Sequence, residues 1–213
     1  FVGCLMVVKL LRNENNSHSS GNVLDDTIEG MRAAALHQGI RPMLIVLSAV
    51  AIGVKSFFDL LPAVSDEVFK AGVDGFAQLA AAGGLGAVAA AIWLAMRGSL
   101  KGLTSITLVA MAIGMTGISM LCATDNLWMG LFGSFLGGVA VTLCGTGTQT
   151  LMQNAVEGYL RGRIMSIYGM LHRGAPALGS LTMGATAEVL GVQLALITTC
   201  IIVCAPILLW VWP

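Results

Sequence analysis

The sequence predicts an all-α membrane protein: a six-transmembrane-helix bundle preceded by a polar linker on the cytoplasmic side. Three observations predict it. The chain of 213 residues is 56% hydrophobic and only 10% charged, with a mean hydropathy of +0.86, whereas a soluble domain is about 25% charged. Six apolar runs are each long enough to cross a hydrocarbon core as a helix. Lys and Arg gather on alternate connections between those runs, as they do in membrane proteins. The formal net charge is zero, so there is no electrostatic case for nucleic acid as a partner. The bilayer is the expected surrounding.

Residues 1–8, "FVGCLMVV", are apolar at once and stop at Lys9. They are too short to span and lack the basic region and cleavage site of a signal peptide. They read as the last turns of a truncated transmembrane helix. Residues 9–41 form the one long polar segment, a cytoplasmic linker. Within it "RNENNSHSSGN" is a flexible connection. "VLDDTIEGMRAAALHQGI" then places Val23, Leu24, Ile28, Met31 and Leu36 close to helical spacing, with Asp25 and Asp26 at the end where the helix dipole favours acids. An amphipathic helix lying on the membrane is expected.

Residues 42–213 hold the bundle. The runs cover about 42–61, 76–96, 103–123, 127–152, 164–190 and 192–212, joined by short turns such as "RGSLKG", "TDN" and "NAVEGYLRGR". Short turns between long helices make antiparallel neighbours. One side of the membrane receives Lys9, Arg12, Arg32, Arg41, Arg97, Lys101, Arg161 and Arg163, and the other only Lys70. The first side is therefore the cytoplasm, the C-terminus lies there, and Trp210 and Trp212 close the last helix at that interface. Gly133 and Gly137 stand in G-x-x-x-G spacing. Such small faces let helices approach closely, either as static packing or as a sliding interface.

Intramembrane charge is the best pointer to function in such a chain. Lys55 and Asp59 lie four residues apart in "GVKSFFDLLP" and share a helix face. Lys55 is about 21 Å along the helix from Arg41. The pair is either a structural clasp or part of a path for substrate or proton at the outer end of a cavity. Arg173 falls about 14 Å into the fifth run if that run starts at 164. Otherwise "RIMSIYGMLHR" lies along the interface and the guanidinium reaches headgroups. Gln149 and Gln153 share a face at the end of the fourth run, where "CGTGTQTLMQN" either bonds across helices or lines a wet cavity. Asp125 and Glu188 are solvated helix ends, and His172 is interfacial.

No soluble-enzyme motif and no cofactor site stand out. Cys4, Cys122, Cys144, Cys200 and Cys204 lie in apolar runs as small hydrophobes, and His18, His37 and His172 are scattered, so no metal site is expected. A non-transporting subunit that binds partners through its glycine faces is the alternative to a transporter.

"LDDTIEGMRAAALHQGIRPML", "KSFFDLLPAVSDEVFKAG", "GGLGAVAAAIWLA" and "TQTLMQNAVEGYLRGRIMSIYGM" together resemble the C-terminal half of a major facilitator superfamily transporter. More narrowly the chain resembles the bacterial branch of enterobactin exporters and macrolide-efflux permeases, departing from it at "VEGYL", where that branch often carries Pro-Asp or Pro-Glu. The resemblance implies twelve helices in two halves, with a solute crossing between them by alternating access. It implies a missing N-terminal half of the same transporter as partner, and a multi-pass protein of the bacterial inner membrane. The function implied is a secondary active, proton-coupled antiporter for efflux of a small amphipathic solute such as a drug or siderophore; an importer of a metabolite has the same fold. Arg161 and Arg163 are then candidates for a cytoplasmic gate, pairing with acids or helix C-termini of the other half.

Overall fold

The computed structural model describes residues 40–99, 101–155 and 158–211, with the backbone alone for 155, 158–161, 163, 200 and 204–211. The expected helix end at 1–8 and the linker with its amphipathic helix, up to residue 39, lie outside the described residues. All the regular structure among the described residues is helical: α1 (Ile40–Val68), α2 (Gly72–Arg97), α3 (Leu103–Cys122), α4 (Leu127–Ala155), α5 (Gly158–Leu190) and α6 (Val192–Val211). The first four are long and apolar enough to cross a membrane. This is a multi-pass helical membrane protein, and lipid explains its surface. Leu85, Trp128, Leu178, Leu181 and Ile201 are all exposed, an apolar cover that water would not tolerate in one contiguous sheet.

The apolar runs and the helices agree except at their ends, and two differences matter. Hydropathy ends the first run near Leu61, before Pro62. Instead α1 passes through Pro62 to Val68 and widens into π-turns at Ala51–Lys55 and Val64–Val68. In lipid a freed backbone group has no water to turn to, so the helix adjusts locally instead of ending. The fifth helix already includes Gly158–Arg163, which hydropathy leaves in a connection, and it continues unbroken through Arg173 and Pro176 to Leu190. Arg173 thus lies inside one continuous helix and not at the end of a separate segment.

The turns follow local chemistry. The side-chain oxygen of Asn126 accepts from the amide of Trp128 at 3.0 Å, capping the start of α4. A single residue, Gly191, joins α5 to α6 with φ of 85°, a left-handed conformation open to glycine at no steric cost.

Helix α4 sits between α2 and α3 and packs closely on both, while α1 packs on α5, α4 and α6. Glycine makes the close approach possible. A methyl group added at Gly138 would overlap the carbonyl of Gly83 in α2, and one at Gly117 would lie 2.6 Å from the carbonyl of Gly133. The expected G-x-x-x-G pair is thus shared between two neighbours: Gly133 faces Gly117 of α3, and Gly137 faces the Phe58 ring of α1. The larger core cluster joins Phe57 and Leu61 of α1 to Leu79, Met111, Ile118 and Leu196. A smaller cluster ties Ile40 and Leu47 to Met152, Ile164, Ile167 and Tyr168, where α1, α4 and α5 meet.

Candidate functional site

The junction of α1 with α5 carries a cluster of polar groups among apolar neighbours. Lys55 closes the first π-turn of α1. Its ammonium donates to the carbonyl oxygen of His172 at 2.8 Å. That carbonyl needs a donor. In a regular helix it would accept from the amide of residue 176, but Pro176 has none. One turn along, the Ser56 hydroxyl stands 3.0 Å from the Pro176 carbonyl and 3.1 Å from that of Ala51. Its one proton serves one of these at a time. A methyl at Gly179 would run into Ser56 and the Ile52 carbonyl, so the two helices touch backbone to backbone here.

A third helix completes the arrangement. The Tyr168 hydroxyl donates to the Gly145 carbonyl of α4 at 3.0 Å. The Tyr168 and His172 rings stack at 5.4 Å with 10° between their planes. Exposure rises across the site. Ser56 is 0% and Tyr168 7% exposed, Lys55 and His172 are half-buried, and Asp59 and Arg173 are exposed. Asp59 and Arg173 both lie close enough to act on the charge of Lys55, and Arg173 and Lys55 on that of His172. The result is a patch of two basic side chains, one acid and an imidazole that runs from the half-buried Lys55 and His172 to the exposed Asp59 and Arg173.

The structure therefore brings together Lys55, Asp59 and Arg173 and adds Tyr168, His172 and Ser56 to them. Lys55 donates to the His172 carbonyl of α5, with Asp59 near enough on α1 to act on its charge. Gln149 and Gln153 continue the α4 face that begins at Gly145 and are half-buried, one and two turns beyond the Tyr168 contact. Thr146 and Thr150, from the same polar stretch, line a cavity of about 400 Å³ against Ala91, Leu94 and Ala95 of α2. Arg161 and Arg163 fall on the first turns of α5, and their side chains lie outside the described residues. Among the described residues no group of His, Cys, Asp and Glu is placed to hold a metal ion.

A signal for the missed groups does exist in the sequence. "HRGAP" sets Pro176 four residues after His172, and that spacing alone marks the His172 carbonyl as one without a helical amide partner.

Comparison with known families agrees with this architecture. The family of transmembrane secretion effectors, within the major facilitator superfamily, matches residues 2–212. The chain belongs to that family: it is a membrane transporter and not an enzyme. No curated protein matches the chain.

Proposed function

We propose that the protein is a secondary active exporter of a small amphipathic solute, driven by protons in antiport, and that Lys55, Asp59 and Arg173 lie on the path of solute or proton. The observation that carries the reading is the Lys55–His172 bridge. It joins two continuous helices at an irregular point in each, a π-turn in one and a proline that withholds one amide in the other. Membrane transporters place substrate and ion sites at irregular points of their helices, and this junction is such a point. Two cations and one acid together favour a solute with anionic character and an apolar body.

In this reading α5 and α6 also span, giving six helices after a cytoplasmic linker in the bacterial inner membrane. The C-terminus and the Arg161–Arg163 end face the cytoplasm, in keeping with the bias of Lys and Arg. The exposed side of the patch faces the other half of the transporter, and Gln149 and Gln153 extend the path inward. The test is solute flux by the whole protein in inside-out vesicles, with a panel of anionic and cationic amphiphiles. Uptake into the vesicles that collapses when the proton gradient is dissipated supports the reading. Flux in the opposite sense would make the protein an importer, and no flux with any solute would favour a partner-binding subunit.

A further inference from the structure

A second feature lies away from this site. Between α2, α3 and α4 runs a groove of about 620 Å³, lined almost wholly by apolar groups that include Trp93, Val109, Ile113, Val139 and Leu143, with Arg97 at its end. Trp93 is 48% and Val109 58% exposed, so the groove opens outward to the surroundings of the bundle. Its charged end is held in place. The Arg97 guanidinium sits over the Trp93 ring, 5.7 Å from its centroid, and donates to the carbonyl of Lys101. Lys101 is exposed in the same turn, and "RGSLKGLTSITLV" contains no acid to neutralise either cation.

We infer that this groove binds one anionic phospholipid, with an acyl chain in the apolar channel and the phosphate on Arg97. Size and charge decide the occupant. A helix is about 10–12 Å across and does not seat in so small a volume, whereas a single hydrocarbon chain fills it. A guanidinium has five N–H donors in a planar fork. With one used on the Lys101 carbonyl and the plane fixed over Trp93, the remainder present a pre-set pair to phosphate oxygens. The turn between α2 and α3 stands where a helix leaves the membrane, which is the depth of a headgroup. Two cations there, with no acid bonded to either among the described residues, favour a headgroup with net negative charge over a zwitterionic one. The assignment does not depend on which way transport runs.

The test is native mass spectrometry of the whole protein in mild detergent, titrated with phosphatidylglycerol and with phosphatidylcholine of the same acyl chains. The wild-type protein should retain one phosphatidylglycerol in preference to phosphatidylcholine. Arg97→Gln should lower that retention about fivefold, the effect of one basic group near an anionic headgroup. Val109→Trp, which fills the groove from an exposed position, should lower retention of both lipids while the protein stays monodisperse. Equal retention of the two lipids by the wild-type protein, which needs no variant, overturns the inference. So does unchanged retention in a folded Arg97→Gln, or a dimer that Val109→Trp dissociates, which would give the groove to a second copy.

Discussion

The ammonium of Lys55 lies 2.8 Å from the carbonyl oxygen of His172, and that carbonyl is the one Pro176 deprives of its amide partner. A side chain of α1 thus repairs a gap in the backbone of α5. The charge is placed by the backbone defect, which explains why a lysine is tolerated among apolar residues such as Val54, Phe57 and Leu60. It also makes the two helices interdependent: moving one past the other breaks this bond.

The repair can be tested by removing either half. Lys55→Met should destabilise the protein by about 1 kcal/mol, since a half-buried acceptor is left without its donor. Pro176→Ala returns an amide to the His172 carbonyl. The double variant Lys55→Met, Pro176→Ala should therefore recover most of the loss in thermal unfolding in detergent. If the double variant is no more stable than Lys55→Met alone, the lysine does not serve this carbonyl.

Tyr168 makes a second test of the same junction. Its hydroxyl reaches the Gly145 carbonyl in a 7% exposed position. Tyr168→Phe keeps the stack on His172 and removes only the hydrogen bond, so the expected cost is about 0.5–1.5 kcal/mol. Tyr168→Leu also removes the ring stack and should cost more. Equal melting temperatures for the two variants would show that the stack contributes nothing.

Much of this arrangement is legible in the chain. Hydropathy locates the helices, because lipid forces every backbone group into internal bonds and leaves length as the main variable. The i, i+4 relation of Lys55 and Asp59 puts both on one face of α1. What escapes is the partner. Periodicity within one helix says nothing about which neighbour it meets, so it matches Lys55 to the nearest acid instead of to a carbonyl 117 residues away. The π-turn at Ala51–Lys55 is equally hidden, since all its residues suit an ordinary helix. Gly133 and Gly137 announce a close contact but not that Gly117 meets the first and Phe58 the second.

The α2–α4 contact sets the shape of the bundle and should resist added volume. At Gly138 a side chain would meet the Gly83 backbone, not a flexible side chain, so it cannot be accommodated by a rotamer change. Gly138→Val should cost at least the 1–3 kcal/mol typical of overpacking and lower the yield of folded protein. Gly84→Val, at a position with open space around it, is the control and should leave yield unchanged. Similar yields from both would mean that α2 and α4 are not held this tightly.

Charge on the exposed side of the site bears on transport more than on folding. Asp59 and Arg173 are exposed in this helix pair, so Asp59→Asn and Arg173→Gln should each change melting temperature little. Each should lower solute flux at least tenfold if the group meets solute or proton, since about 1.4 kcal/mol of lost interaction is a factor of ten. Flux within twofold of wild type for both variants would remove them from the path.

Arg161 and Arg163 raise a separate question, because, if this helix end faces the cytoplasm as proposed, topology alone explains positive charge there. Both lie on the opening turns of α5, the helix that holds Pro176 further along. If they serve only to fix orientation, either one suffices and neutralising the other changes nothing. If they close an inner gate against the other half of the transporter, each makes its own contacts. Arg161→Gln should then abolish flux while the protein still inserts with its C-terminus on the same side, as read by protease access to a C-terminal tag. Arg161→Lys keeps the charge but loses the planar fork, so partial flux in that variant points to charge and none points to a bidentate contact. Full flux with Arg161→Gln leaves the residue a topological signal and nothing more.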